Sequence, residues 1–518
     1  MPRVSSEPMR DAGVAEPEEP RPGNGEARRL ASGALLQQVA QVSGLVVLLA
    51  IVTLLARRLS VAELGAYGLV ASLAGYLLVF RNSVAASAVR AMAAVDGPER
   101  ARMFSTAAAL YAAVALVTGV LLAVVGVVFA ETILSGELAS EARLGAVILG
   151  AVTAIGLAST IYLDALRAER VFTRAASVEI CGVLIHLGVM LALILGGARL
   201  GVVIGLSGGM PLMSGTVSAL VVRRTLPGLR LERSAVTRER AAEMVPTAGY
   251  LLLAELSNLV IYASARVVLG AFGSARSVGL YEGPVRAHNL LYALGGALSV
   301  PTVPTASRYV AEGDDRRLHG LAVRGSRYTL ALFVPLCVTL MVLAEPLLSV
   351  WLGERYAGGG TALAILVSYW LLFGALVVTP GFLVGLGRAR DLARVLMTVA
   401  AANLALSLAL TPSLGLEGPA IATAIPFTIA FPVLLRLALR ASGATLGELA
   451  RRAWLPAYSL GAALALGLWA LREGAGLDTL PPVAGAGIAG VLVYWGAFYA
   501  LWLDTGEREL MRGLIRRS

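Results

Sequence analysis

The chain has 518 residues, 57% of them hydrophobic and only 15% charged, with a mean hydropathy of +0.77. That is more apolar surface than a water-soluble globule of this length can cover, which excludes a soluble fold. The formal charge of +10 contains no lysine, and the arginines lie mostly in short stretches between apolar runs. This is the signature of loops flanking membrane helices, and nucleic acid is not an expected partner.

Residues 1–30 combine Pro, Glu, Arg and Gly without an apolar run. They are read as a disordered cytoplasmic tail rather than a signal peptide. Beyond them the sequence predicts helices at 31–57, 64–89, 104–131, 143–165, 175–196, 201–222, 245–271, 278–306, 328–346, 360–386, 393–411, 416–436, 454–471 and 482–503. A run of about 20 residues crosses a hydrocarbon layer of about 30 Å as a helix. The alternation of a membrane barrel is absent, so helices are what satisfies the backbone in lipid. Prolines 284, 301, 304, 380, 426 and 432 are expected to interrupt helices without ending them. Cys181 and Cys337 each sit in an apolar run and are read as packing residues.

With the N-terminus placed in the cytoplasm, 33 arginines fall in cytoplasmic segments and 7 on the opposite side, while Arg81, Arg266 and Arg286 lie inside helices. This bias predicts that both termini are cytoplasmic. An internal repeat appears at an offset of 214 residues: Ser60, Gly65 and Tyr67 coincide with Ser274, Gly279 and Tyr281, and Leu200-Gly201 with Leu414-Gly415. Six helices per copy give two lobes of like orientation, related by a pseudo-two-fold along the membrane normal. The expected fold is therefore an all-α polytopic membrane protein of about fourteen transmembrane helices. Its organisation is read as a tail at 1–30, an N-lobe at 31–223, a cytoplasmic linker at 224–244, a C-lobe at 245–438, two further helices at 439–503 and a cytoplasmic tail at 504–518.

The stretch Ala56-Arg57-Arg58-Leu59-Ser60-Val61-Ala62-Glu63-Leu64-Gly65-Ala66-Tyr67 resembles the opening of bacterial polysaccharide exporters and O-antigen flippases. Ser277-Val278-Gly279-Leu280-Tyr281 is similar to the same family, as are Ser307-Arg308-Tyr309 with Glu312-Gly313-Asp314, and Leu414 to Thr423. The resemblance covers most of residues 31–440. It implies the multidrug, oligosaccharidyl-lipid and polysaccharide exporter superfamily: two six-helix lobes forming a V, a cavity lined by the first, second, seventh and eighth helices, and a lipid-tail groove beside the two C-terminal helices. Where family members often carry acids in the second and seventh helices, this chain has Arg81 and Ala265, so a coupling mechanism built on those acids does not carry over.

A lipid-linked saccharide joins a phosphate to a greasy chain, and arginine suits phosphate because its planar fork donates in pairs and stays charged. A charge within a membrane helix costs about 3 kcal/mol or more unless it meets water or a partner, so intramembrane charges mark the candidate site. Glu255, Asn258, Tyr262 and Arg266 form one stripe of the seventh helix, facing a cavity or, for Arg266, snorkelling to the headgroups. Glu282, Arg286 and Asn289 share a face of the eighth, where Glu282 and Arg286 either line the cavity or simply neutralise each other. Gln37 and Gln41 suit sugar hydroxyls or interhelical hydrogen bonds, and Arg81 is too deep for easy snorkelling. His288 is read as a packed polar residue with proton coupling as the alternative, and Asp164 and Glu179 as interfacial anchors.

No phosphate-cradling loop, metal cluster or nucleophile constellation is present, so neither an enzyme nor a cofactor is expected. The leading expectation is a flippase that moves a polyprenyl-phosphate-linked oligosaccharide or polysaccharide precursor by alternating access. Membrane lipid, and contact with a polysaccharide polymerase or glycosyltransferases, complete the expected partners. The alternatives are a cation-coupled multidrug antiporter of the same superfamily and a non-transporting scaffold of a polysaccharide assembly complex.

Overall fold

The computed structural model describes residues 43–169, 171–242, 260–261, 264–299, 301–475, 479–503 and 507–509, with side chains at 75–83, 86, 233, 475 and 480 left aside. The described residues are predominantly helical and contain no strand. The N-terminal half comprises α1 (43–58), α2 (Val61–Ala93), α3 (Gly97–Ile133), α4 (Gly136–Ser159), α5 (Ile161–Ala168), α6 (Phe172–Leu195), α7 (Leu200–Leu206) and α8 (Met210–Thr225). The C-terminal half begins with α9 (264–272), α10 (Ala275–Ser299), α11 (Thr302–Ala311), α12 (Asp315–Val342) and α13 (Ala344–Leu352). It continues through α14 (Gly360–Phe373), α15 (Thr379–Gly385), α16 (Ala389–Leu414) and α17 (Glu417–Ser442). A short α18 (Leu446–Leu449) runs through a π-helical stretch, Ala450–Trp454, into α19 (Leu455–Ala475), and α20 (Leu480–Trp502) closes the bundle.

Every predicted segment is mainly helical where it is described, with the tenth, 360–386, broken at 374–378 between α14 and α15. Among the described residues nine helices are long and apolar enough to cross a membrane, or ten with one bent pair. The chain is thus a multi-pass membrane protein, and the expected total of fourteen is not reached among these residues. The sixth predicted helix is that bent pair: α7 and α8 meet at 50° around Ser207-Gly208-Gly209. A Cβ on Gly208 would lie 2.5 Å from Leu149, so the break occurs where the chain must pass close to α4. Pro284, Pro426 and Pro432 do lie inside helices, and Pro304 in the first turns of α11. Pro301 and Pro380 do not: Pro301 caps α11 after the end of α10, and Pro380 opens α15, positions where a missing N–H costs nothing.

The internal repeat has a physical meaning at each coincident residue. Ser60 caps α2, its hydroxyl accepting from Glu63 N while the Glu63 carboxylate accepts from Ser60 N at 2.7 Å. Ser274 does the same for α10, accepting from Ser277 N. Tyr67 and Tyr281 are both buried. Gly65 and Gly279 place α2 and α10 in backbone contact: a Cβ on Gly65 would lie 1.7 Å from the Ala275 carbonyl oxygen, and one on Gly279 would lie 1.9 Å from that of Val61. Val61 and Ala275 are themselves 214 positions apart, so the two halves grip each other reciprocally across the pseudo-two-fold. The Leu200-Gly201 and Leu414-Gly415 match is looser, since Gly201 lies within α7 whereas Gly415 ends α16 with φ of 57°.

The last two helices attach to the C-terminal half. Trp495 Nε1 donates to the Ala331 carbonyl at 2.9 Å, Tyr458 OH to that of Leu371 at 2.6 Å, and Arg472 pairs with Glu345 at 2.8 Å.

Substituting Ala for Gly65 or Gly279 should destabilise the detergent-solubilised protein by about 1–3 kcal/mol, because backbone, not a flexible tip, opposes the new methyl. Gly44→Ala, where a Cβ meets open space, should be neutral or slightly stabilising. Thermal unfolding of the three variants checks this.

Candidate functional site: a charged seam between the two halves

The α2 and α10 crossing carries the main intramembrane ion cluster among the described residues. Glu282, on α10, is 1% exposed. Arg266 Nε, from α9, donates to its Oε1 at 2.5 Å, and Arg286 Nη2, one turn along α10, lies 3.1 Å from its Oε2. Both arginine side chains are nearly enclosed, at 8% and 12% exposure. Enclosing ions is costly, and a pair holds only when geometry and hydrogen bonds compensate the lost water. Here each carboxylate oxygen receives a guanidinium. The cluster holds two cations and one anion, so it brings a surplus positive charge to the seam.

What admits the carboxylate is a gap in the opposite helix. A Cβ on Gly68 would lie 2.3 Å from Glu282 Oε1, and Gly68 is the N-terminal counterpart of Glu282 under the 214-residue shift. The counterparts of Arg266 and Arg286 are Val52 and Ser72. The backbone at the seam is therefore pseudo-symmetric while its charge is not. The C-terminal half supplies all three ions, and the N-terminal half supplies the notch.

Further contacts join the halves on the same end of the bundle. Trp351 Nε1 donates to Thr53 Oγ1 at 2.7 Å, Arg355 Nη2 to the Ala56 carbonyl at 2.5 Å, and Arg57 Nη2 to that of Val350 at 3.2 Å. Thus α1 is strapped to α13 and the 3-10 turn Glu354–Gly359. None of these residues is expected at a site from the sequence, although Arg57 and Arg355 are two of the few arginines on the arginine-poor side.

Of the predicted site residues, Arg266, Glu282 and Arg286 come together, with Glu282 and Arg286 paired as their spacing allows. Arg266 points into this cluster instead of snorkelling to headgroups. Asn289 is part-buried, its Oδ1 3.5 Å from His288 Nδ1. His288 turns away from the seam, with Nε2 2.7 Å from Tyr369 OH and its ring against Trp370. Gln37, Gln41, Glu255, Asn258 and Tyr262 lie outside the described residues, as does the side chain of Arg81, whose backbone belongs to α2. Asp164 and Glu179 form a second network within the N-terminal half. Tyr111 OH donates to Asp164 at 2.8 Å, and Arg167 bridges Asp164 and Glu179 at 2.8 and 3.0 Å. With Asp164 1% exposed, this is a packed ion pair, where headgroup anchoring was the expectation.

On its other side α10 is greasy. Ala287, Leu290, Leu291 and Leu294 line an apolar groove of about 500 Å³ completed by α12, α13 and α20. One helix thus presents charge toward the seam and hydrocarbon toward the groove, with Arg286 and Ala287 adjacent in sequence.

Two pseudo-symmetric helical halves closed on each other at one end, a charged seam between them and an apolar groove alongside are the construction of a membrane transporter of the two-lobed exporter type. Among solved structures, the lipid II flippase MurJ in an inward closed conformation matches with a TM-score of 0.69 at 15% identity, over 90% of this chain and 99% of that one. An inward-facing multidrug resistance MATE transporter of the MOP superfamily matches at 0.67 and 16% identity, over 79% of this chain and 98% of its own. An outward-facing MATE conformation matches at 0.54 and 15%, over 80% and 95%. No curated protein sequence matches the chain. The family described as polysaccharide biosynthesis protein matches residues 54–358, more than half of the sequence, and the chain belongs to that family.

Removing one partner from a buried ion cluster leaves uncompensated charge, at a cost of about 3–5 kcal/mol. Glu282→Gln should therefore lower stability by about that amount, and replacing Arg266, Glu282 and Arg286 together with Met, Leu and Met should recover most of it. Chemical or thermal denaturation of purified protein distinguishes the two.

Proposed function

We propose that this protein is a flippase that carries a saccharide linked to a lipid through an anionic phosphate or pyrophosphate across the bacterial inner membrane. The observation that carries the reading is the α10 arrangement: surplus guanidinium charge on one side and an apolar groove on the other. An amphiphile with an anionic head and a long hydrocarbon chain needs both at once, and arginine forks match phosphate oxygens. Membership of the polysaccharide biosynthesis family supports the saccharide part of the assignment.

The orientation follows from the arginine bias of 33 to 7, with both termini cytoplasmic. The capping loops at Ser60 and Ser274 belong to the arginine-poor side, so the glycine seam faces outward and the closed end is the external one. Higher similarity to inward-facing and inward closed relatives than to an outward-facing one supports this state. In it the Arg266–Glu282–Arg286 cluster is satisfied internally. Opening the seam toward the outside pulls Glu282 out of the Gly68 notch, and a phosphate arriving between the halves offers the arginines an alternative anion. Glu282 moves together with Arg266 and Arg286, so opening exposes the surplus positive charge of the cluster, and a phosphate that neutralises it links substrate binding to seam opening. Arg81, Glu255, Asn258, Tyr262, Asn289, Gln37 and Gln41 are proposed to line the remainder of the path, the amides facing sugar hydroxyls.

A cation-coupled antiporter would need the opposite charge balance at the seam. The experiment is a depletion strain complemented with Arg81→Gln, Arg266→Gln or Arg286→Gln at matched membrane abundance. Each variant should reduce delivery of lipid-linked saccharide to the outer leaflet about tenfold or more. Undiminished export by all three, with normal insertion, would support a scaffold role, whereas drug hypersensitivity of the depleted strain with unchanged export would support the antiporter.

A further inference from the structure

Far from the seam, at the other end of α10 and α11, lies a second cavity, of about 520 Å³. It opens on the arginine-rich face, between the start of α12 and the short α18 with the π-helical turn that leads into α19. Its lining carries four arginines, Arg316, Arg317, Arg324 and Arg452, against two carboxylates, Asp314 and Glu448. The volume lies in the ordinary range for small-molecule sites, about 300–1,000 Å³.

The carboxylates are already occupied in building the wall. Asp314 caps α12, accepting from Arg317 N at 2.9 Å, and its other oxygen meets Arg317 Nε at 3.3 Å. Glu448 joins the two sides of the cavity, 2.9 Å from His319 Nε2 and 3.1 Å from Arg452 Nη1. Among the described residues, Arg316 and Arg324 have no carboxylate partner. Arg324 folds over Gly320, where a Cβ would come within 2.9 Å of its Nη2, so the missing side chain is what lets this guanidinium lie against the cavity wall. Arg452 is presented by a π-helical turn, a rare local geometry that recurs at functional sites because it shifts side chains out of the α-helical register.

We propose that this cavity is an anion site for a ligand bearing two phosphates or a comparable cluster of phosphate oxygens, separate from the path between the halves. Paired guanidinium forks are suited to such groups, and basic pockets between helices on the cytoplasmic side of a membrane favour anionic headgroups. The same chemistry is offered by a phospholipid headgroup and by a soluble diphosphate. Either would cross-link α12 to the segment that carries α19 and so fix the two terminal helices beside the apolar groove.

The test uses the full-length protein in nanodiscs, comparing Arg316→Gln/Arg324→Gln/Arg452→Gln with wild type and with Arg143→Gln, an exposed arginine at the opposite end. Probes are inorganic pyrophosphate in phosphatidylcholine nanodiscs, read by ligand-induced shift of the melting temperature, and cardiolipin retained through purification, read by native mass spectrometry. Wild type and Arg143→Gln should bind at least one probe, and the triple variant should bind it at least about tenfold more weakly. Gly320→Leu keeps every charge but displaces Arg324, and it should show the same direction of loss if the triple variant folds poorly. Cardiolipin retention that pyrophosphate does not displace assigns the site to a lipid headgroup, and pyrophosphate binding without lipid retention assigns it to a soluble anion. Equal binding of both probes by wild type and by both cavity variants, or binding of neither, overturns the proposal.

Discussion

The carboxylate of Glu282, held between Arg266 and Arg286 and seated in the notch at Gly68, is the constraint on which the seam depends. An ion inside a membrane bundle persists only where partners replace water, and this carboxylate finds them on α9 and α10, in the room that α2 leaves at Gly68. Glycines set how closely the helices approach, and the ions set what separation requires. Backbone contact at Gly65 and Gly279 without the cluster would be an apolar crossing, free to slide; the cluster without the glycines would leave the carboxylate no room.

Duplication explains the geometry and its breakage explains the charge. Two copies of one helical unit supply reciprocal caps, crossings and buried tyrosines, which is why α2 and α10 meet almost symmetrically. A symmetric pair of acids on the axis would repel, and a symmetric pair of glycines would offer nothing ionic. With Glu282 facing Gly68, one half donates the charge and the other the space. The resulting seam sets a surplus cation beside an apolar groove, on one helix of a chain that belongs to a family of polysaccharide biosynthesis proteins.

The architecture was legible in the sequence because membrane solvation imposes long apolar runs. The repeat at Ser60, Gly65 and Tyr67 was legible because cap, crossing and buried ring each demand one residue type. Helical spacing allowed the pairing of Glu282 with Arg286 but did not choose it over two side chains turned separately to a cavity. That Arg266 would join them was not legible, because spacing within one helix is silent on which neighbouring helix a side chain reaches. Gly68 was invisible as part of the site: a glycine that matters for the volume it leaves empty carries no chemical mark. The bend between α7 and α8 and the straps at Trp351 and Arg355 were missed likewise, since they arise from contacts between distant parts of the chain.

If the Glu282 carboxylate, seated in the notch at Gly68, holds this end of the two halves together, breaking the cluster must let that end open. Spin labels placed at Ala62 and Arg276, equivalent positions on the repeat at the start of α2 and α10, report the separation directly by pulsed dipolar spectroscopy in nanodiscs. With Glu282 intact, one short distance should dominate, and Glu282→Gln should move a substantial population to longer separation. Coincident distance distributions for the two proteins would mean that the seam closes without the cluster, and would contradict the role assigned to Glu282.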